Sequence, residues 1–423
     1  MNTINIHRKI ILTLCLTYLV FGFACNGDDP NAPEPGSGTE GFDVAKIARW
    51  DGSRWHSLGQ GVTNSQEFQN DPVWVNDLIV DDGLVYVGGI FERANNTTVN
   101  SIASWNGSDW QGFGFTDLPG VFVAFTGFQG APGFVNAMVI SSAVSFGKTL
   151  YVGGSFKATA NGLIDLTESN NIVQFYLQVG TWDRLAQGVN GTVNALAVNA
   201  SGLFVGGSFS AATDNNGAQV GSTNLIARWS IQNTAWASVG GGIVGSEVNA
   251  LAVDNSDVYV GGAFSQAGSV AAFNIAKWAG NHWESMGDGL EGTVYDIAVT
   301  GGNVYAAGQF FTQDFENFYL LAKWDGSAWS FLGDAISPAG QETNYLIRGL
   351  SLAVNGNQIY LGGRFQSMDG GTVNHVARLN GNTWEDLTGG VHNIGGELLS
   401  GVKALAVSGN DVYVGGTFTA VGQ

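Results

Sequence analysis

Apolar residues in this chain fall in short runs with period two or none, and helical spacing at three and four is missing. A run such as Val193-Asn194-Ala195-Leu196-Ala197-Val198 is nearly continuous in apolar residues, which implies a strand buried on both faces. The next run, Leu203-Phe204-Val205-Gly206-Gly207, places an aromatic before paired glycines. A hairpin with Trp on its arms belongs to the same unit. Its turns include Asp51-Gly52, Asn106-Gly107, Asp325-Gly326 and Asn380-Gly381, dipeptides favoured where a two-residue turn needs positive φ. Each unit therefore predicts four strands: a, the apolar run; b, the aromatic and Gly-Gly run; and c and d, the arms of the Trp hairpin.

The unit recurs seven times between Ile47 and Phe418. The second hairpin Trp is present in every copy, as Trp55, Trp110, Trp182, Trp236, Trp283, Trp329 and Trp384. The first is Trp50, Trp105, Trp229, Trp278 and Trp324, with Phe175 and Leu379 standing in elsewhere. Four-stranded repeats spaced roughly 46 to 72 residues apart predict an all-β fold, a seven-bladed β-propeller of four-stranded antiparallel blades. The series opens on a Trp hairpin and closes after a Gly pair. N-terminal strands c and d are thus expected to complete the blade begun by C-terminal strands a and b, which leaves no free edge to aggregate.

The order Tyr86-Val87-Gly88-Gly89 followed by a Trp hairpin resembles the kelch-type propeller family. It is similar more closely to the Trp/Gly-Gly repeats of fungal cortical polarity-marker propellers and their bacterial relatives, over residues 42–423. The resemblance implies the fold and leaves the function open, since such propellers host ligand binding, scaffolding and a few enzymes. The fifth copy departs from it, with Ala306-Ala307-Gly308 in place of two glycines, and predicts a slightly relaxed backbone approach there.

Ahead of the repeats, Arg8 and Lys9 precede an apolar stretch at 10–24, too short for a spanning helix and read as a secretory signal. It ends Phe21-Gly22-Phe23-Ala24-Cys25, which resembles a bacterial lipobox and implies lipidation of Cys25, although Phe23 is larger than the usual residue there. The alternative is an ordinary cleaved signal that contains a Cys. Asn26-Gly27-Asp28-Asp29 is similar to the acidic tether of surface-exposed lipoproteins in Bacteroidetes-type bacteria. The expected division is residues 1–24 as lipoprotein signal peptide, 25–41 as lipidated Cys and acidic tether, and 42–423 as propeller. Residues 26–41 lack the apolar surface to fold and reach about 20–24 Å. Localisation is expected to be extracytoplasmic, at the surface of a bacterial outer membrane, with the bilayer as one partner. Loss of Cys15 with the signal leaves no thiol for disulfide, metal or nucleophilic chemistry. A net charge of −19 repels nucleic acid and favours a soluble monomer.

In antiparallel blades the a–b and c–d turns share one face and the b–c and d–a connections the other. Length varies on the second face, at 62–74, 113–134, 157–170, 210–224, 311–319, 334–348 and 391–401. Any ligand is therefore expected there, around the central channel. Aromatic residues gather in those connections: Phe113, Phe115, Phe122, Phe125, Phe128 and Phe134 in one, and Phe311, Phe315, Phe318 and Tyr319 in another. Trp74 and Tyr345 each lie just before a strand a. Exposed, such rings stack on sugars or peptide side chains; buried, they hold the insertions down. Calcium held by Asp314 and Glu316 lacks a ligand spacing.

Strand a carries a sharper anomaly. Its third position is Ala137, Ala195, Ala250, Ala404 or Ser351, but Asp77 and Asp296 in the first and fifth copies. Asn76, Asn136, Asn194 and Asn249 occupy the second position, Lys403 shares it, and Arg348 lies just before its strand. Functionally these residues line a polar pocket that binds a hydroxyl-rich ligand or performs acid–base work. Structurally, the Asn side chains tie blades together and the Asp side chains meet backbone amides. His56, His282, His375 and His392 have no metal spacing, and no Gly-x-Ser-x-Gly nucleophile occurs. The Cys and Tyr pairing of copper-radical oxidase propellers cannot be built, and the hairpins lack the Ser and Arg partners of sialidase turns. Asp77 and Asp296 remain as weak catalytic candidates flanking the channel. The sequence thus points to a module that binds a glycan or a surface protein, with no cofactor or metal expected. A polysaccharide-active hydrolase or lyase is the alternative, and a purely structural spacer the third.

Overall fold

A computed structural model describes residues 41–65, 71–114, 119–122, 133–144, 147–160, 166–313, 315, 317–333, 347–368, 371–381, 383–393 and 401–422. Every element named among them is a β-strand. Among the described residues, seven ladders share the antiparallel order a–b–c–d. One runs Trp74–Asp81, Leu84–Ile90, Ile102–Trp105 and Trp110–Gly112. In another, strands a and b are Val402–Ser408 and Asp411–Gly416, and strands c and d are the N-terminal Ile47–Trp50 and Trp55–Ser57. Ile47 pairs with Gly415 there, and Trp50 with Val412. A short ladder outside it also joins the two ends, Phe42 opposite Val421.

Strand a of each ladder lies against strand a of the next, and Val402–Ser408 lies against Trp74–Asp81. The paired glycines make that approach possible, each for its own reason. A Cβ on the first would collide with the leading residue of the neighbouring strand a: Gly153 meets Val193 at 2.4 Å and Gly415 meets Val75 at 2.3 Å. A Cβ on the second would collide within its own ladder, as Gly207 does with the Thr192 carbonyl at 2.0 Å. In the fifth copy Ala307 stands at the first glycine position, and the neighbouring strand a has Gly349 where the others have Val; a Cβ on Gly349 would meet the Leu320 carbonyl at 2.9 Å, Leu361 at 3.0 Å and Ala307 Cβ at 3.3 Å. The missing glycine has moved across the interface, so the expected relaxation is offset by its neighbour.

In five of the ladders the second Trp interlocks the outer strands in the same way. Trp110 Nε1 donates to the Leu58 carbonyl at 3.0 Å, Trp236 to Leu185 at 3.1 Å and Trp329 to Met286 at 2.9 Å, each in the preceding ladder. Trp55 from the N-terminal hairpin donates to Leu387 at 2.8 Å. A buried indole N–H left unpaired is costly, so each of these bonds fixes the spacing between ladders. The sequence reading overlooked one further core residue, the Phe two places after the second glycine. Phe91, Phe209, Phe310 and Phe418 are buried there.

At Asp51-Gly52, Asn106-Gly107 and Asp325-Gly326 the hairpin turns are two-residue, but one position later than expected. Trp50 pairs with Trp55, and Asp51 N donates to the Arg54 carbonyl, so the loop residues are Gly52 and Ser53, with Gly52 at φ 98°. Asp51 Oδ1 instead caps the turn, accepting from the Ser53 and Arg54 amides. Asp325 caps its hairpin alike through Ser327 and Ala328, and those amides hold its carboxyl at about 2.

Candidate binding site at the channel mouth

The second position of strand a is a β-bulge in every ladder. Register shifts fall between Val75 and Asp77, Val193 and Ala195, Val294 and Asp296, Gly349 and Ser351, and at the equivalent places in the others. A bulge inserts one unpaired residue and re-aims its neighbours. Here it brings the second- and third-position side chains together around one cavity of about 240 Å³. The lining includes Asn76, Asn136, Asn194, Asn249, Tyr295, Leu350 and Lys403 from the second positions, and Asp77, Asp296 and Ser351 from the third.

One arc of the rim is made of amides. Asn76 Nδ2 donates to the Val135 carbonyl at 3.0 Å, Asn136 to Val193 at 3.1 Å, Asn194 to Val248 at 3.4 Å and Asn249 to Val294 at 3.4 Å. Each Asn thus ties its strand to the next ladder, the structural role expected for it, while its carboxamide still lines the cavity. The other arc combines cations with aromatic rings. Lys403 Nζ sits 4.4 Å from the Trp74 ring centroid and donates to Asn76 Oδ1 at 2.9 Å. Arg348 lies 5.4 Å from the Tyr295 ring and donates to its hydroxyl at 2.9 Å. Burial pushes the Lys403 ammonium down to about 8, and the charge of Arg364 adds to the shift.

Asp77 and Asp296 are placed alike. Asp77 Oδ1 accepts from its neighbour Leu78 at 2.8 Å, and Oδ2 from Met138 in the next ladder at 2.5 Å. Asp296 accepts from Ile297 at 2.8 Å and from Leu352 at 2.7 Å. These are the backbone partners of the structural alternative. Desolvation nevertheless outweighs the amide bonds and pushes both carboxyls up to about 7; for Asp77 the charge of Asp296 adds to the rise.

The aromatic candidates divide. Tyr319 was expected in a loop but belongs to strand Phe318–Trp324, where its ring stacks on Phe331 at 4.7 Å and 5°. Phe318 and Phe113 are buried, Phe113 edge-on to Phe175 at 5.2 Å, so both hold the core. Phe318 pairs across the ladder with Phe311 and Tyr319 with Phe310, which draws both into a strand, whereas Phe113 stays just past Trp110–Gly112 and packs on the neighbouring ladder. Phe315 is exposed on the connection at φ 57°, 6.0 Å from Phe311, and does not line the cavity. Phe122 lies in the short strand Val121–Phe122. Phe125, Tyr345, Asp314, Glu316 and Cys25 lie outside the described residues. Two contributors to the site were missed, Tyr295 and Arg364. Tyr295 had a signal, since it occupies the same second position as the Asn set.

Residues 171–343 match the family model described as the Rax2 C-terminal beta propeller domain. No curated protein matches the chain. Among solved structures, the computationally designed Ika8 protein is similar at 16% identity, over 86% of this chain and 100% of that chain, with a TM-score of 0.42. The family match and the repeated antiparallel ladders make this chain a β-propeller built of four-stranded sheets.

Proposed function

We infer that the chain is a closed seven-bladed propeller acting as a binding module, which takes a glycan or a protein ligand on the face that carries the b–c and d–a connections. The observation that carries this reading is the bulge repeated in strand a. It costs each ladder a pairing residue and gathers amides, carboxyls, a cation and a Tyr ring around one cavity. Polar groups converging on a concavity are what a ligand with many hydroxyls requires. The lipobox-like Cys25 and acidic tether support a monomer anchored at the outer surface of a bacterial outer membrane. A polysaccharide-active enzyme is the second reading, favoured by one observation: two buried carboxyls, Asp77 and Asp296, line the same cavity, where desolvation pushes them up toward the range in which acid–base chemistry works best.

A glycan and protein-ligand screen on the full-length protein, with Asp77→Asn and Asp296→Asn beside it, separates the readings. Binding that persists in both variants, without turnover of any glycan, is the outcome expected of the module. Turnover by the wild type that either substitution abolishes establishes the enzyme instead.

A further inference from the structure

Arg348 and Arg364 stand directly opposite each other on the antiparallel strands Arg348–Asn355 and Gln358–Arg364. Like charges in that relation work against the sheet. Arg364 is partly buried, and its guanidinium has no hydrogen-bond or ion-pair partner among the described residues. Its charge reaches Lys403 and His375 as well, depressing the protonation of both. The chain has only 16 Lys and Arg against 35 Asp and Glu, so scattered charge would more readily surround a cation with acids. Instead cations gather at the end of strand a that opens the channel, beside the amide arc.

We propose that this cluster is an anion subsite that takes the carboxylate of an acidic sugar, whose ring sits in the adjoining cavity. Two planar guanidinia offer fork-shaped donors that match a carboxylate in a way an ammonium does not. The cavity of about 240 Å³ suits one sugar ring, and the Asn side chains along its rim suit the hydroxyls. The strongly acidic remainder of the molecule repels a long polyanion, but over about 8–10 Å salt screens that field. The subsite therefore selects a single acidic residue or chain end over a continuous run of charge. The proposal rests on the binding-module reading and specifies its ligand.

Calorimetric titration of the full-length protein in detergent with galacturonate, galactose and inorganic phosphate tests it. Galacturonate is expected to bind at least about ten-fold more tightly than galactose, and Arg364→Gln to remove about that factor for galacturonate alone. Arg364→Lys, which keeps the charge but loses the fork, should fall between. The thermal midpoint of Arg364→Gln should equal or exceed that of the wild type, because a like-charge contact is relieved; should it drop, Arg364→Lys decides. Equal affinity for the acid and the neutral sugar, or indifference to Arg364→Gln, overturns the acid subsite while leaving the binding module standing. Phosphate bound as tightly as galacturonate overturns the sugar-acid assignment. Silence toward all three overturns the subsite, and only a failed ligand screen overturns the module with it.

Discussion

At the scale of single residues, the interface between ladders is a matter of methyl groups. Val193 fills the space that the absent side chain of Gly153 leaves, and Val75 does the same against Gly415. The exchange at Ala307 and Gly349 is consistent with a limit on the sum of the two side chains, although the Leu320 carbonyl also crowds Gly349. Gly153→Ala alone should therefore destabilise the protein by about 1–3 kcal/mol through overpacking. Val193→Ala in the same molecule should return part of that loss, giving a favourable coupling in a double-mutant cycle followed by denaturant unfolding. Strictly additive effects would contradict the account. The sequence displayed the departure at Ala307 but hid its remedy, because Gly349 lies in the next repeat and only their contact relates them. The second glycine is retained in all seven copies, including Gly308, because it faces a carbonyl that no neighbour can move.

At the scale of elements, strand a is where sequence reading and structure part most usefully. Four strands per repeat, their order and the apolar character of strand a were legible, since hydrophobic runs and turn residues report them directly. The bulge was not. It adds one residue to a run without changing composition, so Val193-Asn194-Ala195 reads as an ordinary stretch of strand. Positions of Asp77, Asp296, Lys403 and the Asn set could be read as a polar group, whereas their convergence on one cavity depends on the bulge.

The aromatic insertions went the other way. Phe318 and Tyr319 extend strand c past the apolar residues that mark it in the other copies, and Phe113 stays in its connection but is buried against the neighbouring ladder. The Asp side chains link one strand a to the next through amides of Met138 and Leu352, and this link should be pH-dependent. Both carboxyls lie above their ordinary value of 3.8, so the folded state holds these protons more tightly than the unfolded chain. Their contribution is full below about pH 3.8 and fades as pH rises through about 7. Relative to Asp77→Ala/Asp296→Ala, which installs the residue found in four sister strands, the wild type should lose stability between about pH 5 and pH 8. Chemical denaturation across that range checks it, and a constant difference would mean that the two carboxyls titrate normally.

At the scale of the whole molecule, the count of hairpins and Gly pairs predicted that the chain ends meet. Ile47–Trp50 does pair with Asp411–Gly416, and Trp55 bonds to Leu387. The proposed closed ring would give the cavity walls on every side and sort the connections onto two faces, so the proposed ligand site stands or falls with it. The cation cluster was less legible in the sequence than the polar lining of the cavity. Arg364 follows a Gly pair, a place where other copies carry Ser, Thr, Ala, Ile or Gln, and nothing local marks it as special. Its importance arises from the register that sets it opposite Arg348.

The most direct measurement is a disulfide across the joining sheet. In a Cys15→Ser/Cys25→Ser background, Arg49→Cys/Tyr413→Cys places thiols on residues directly opposite each other in the register. The account predicts that mild oxidation joins them within one molecule, leaving no free thiol and giving a compact, faster-migrating unreduced chain. Two thiols that stay free, or cross-links formed only between molecules, would contradict a ring closed by its own ends.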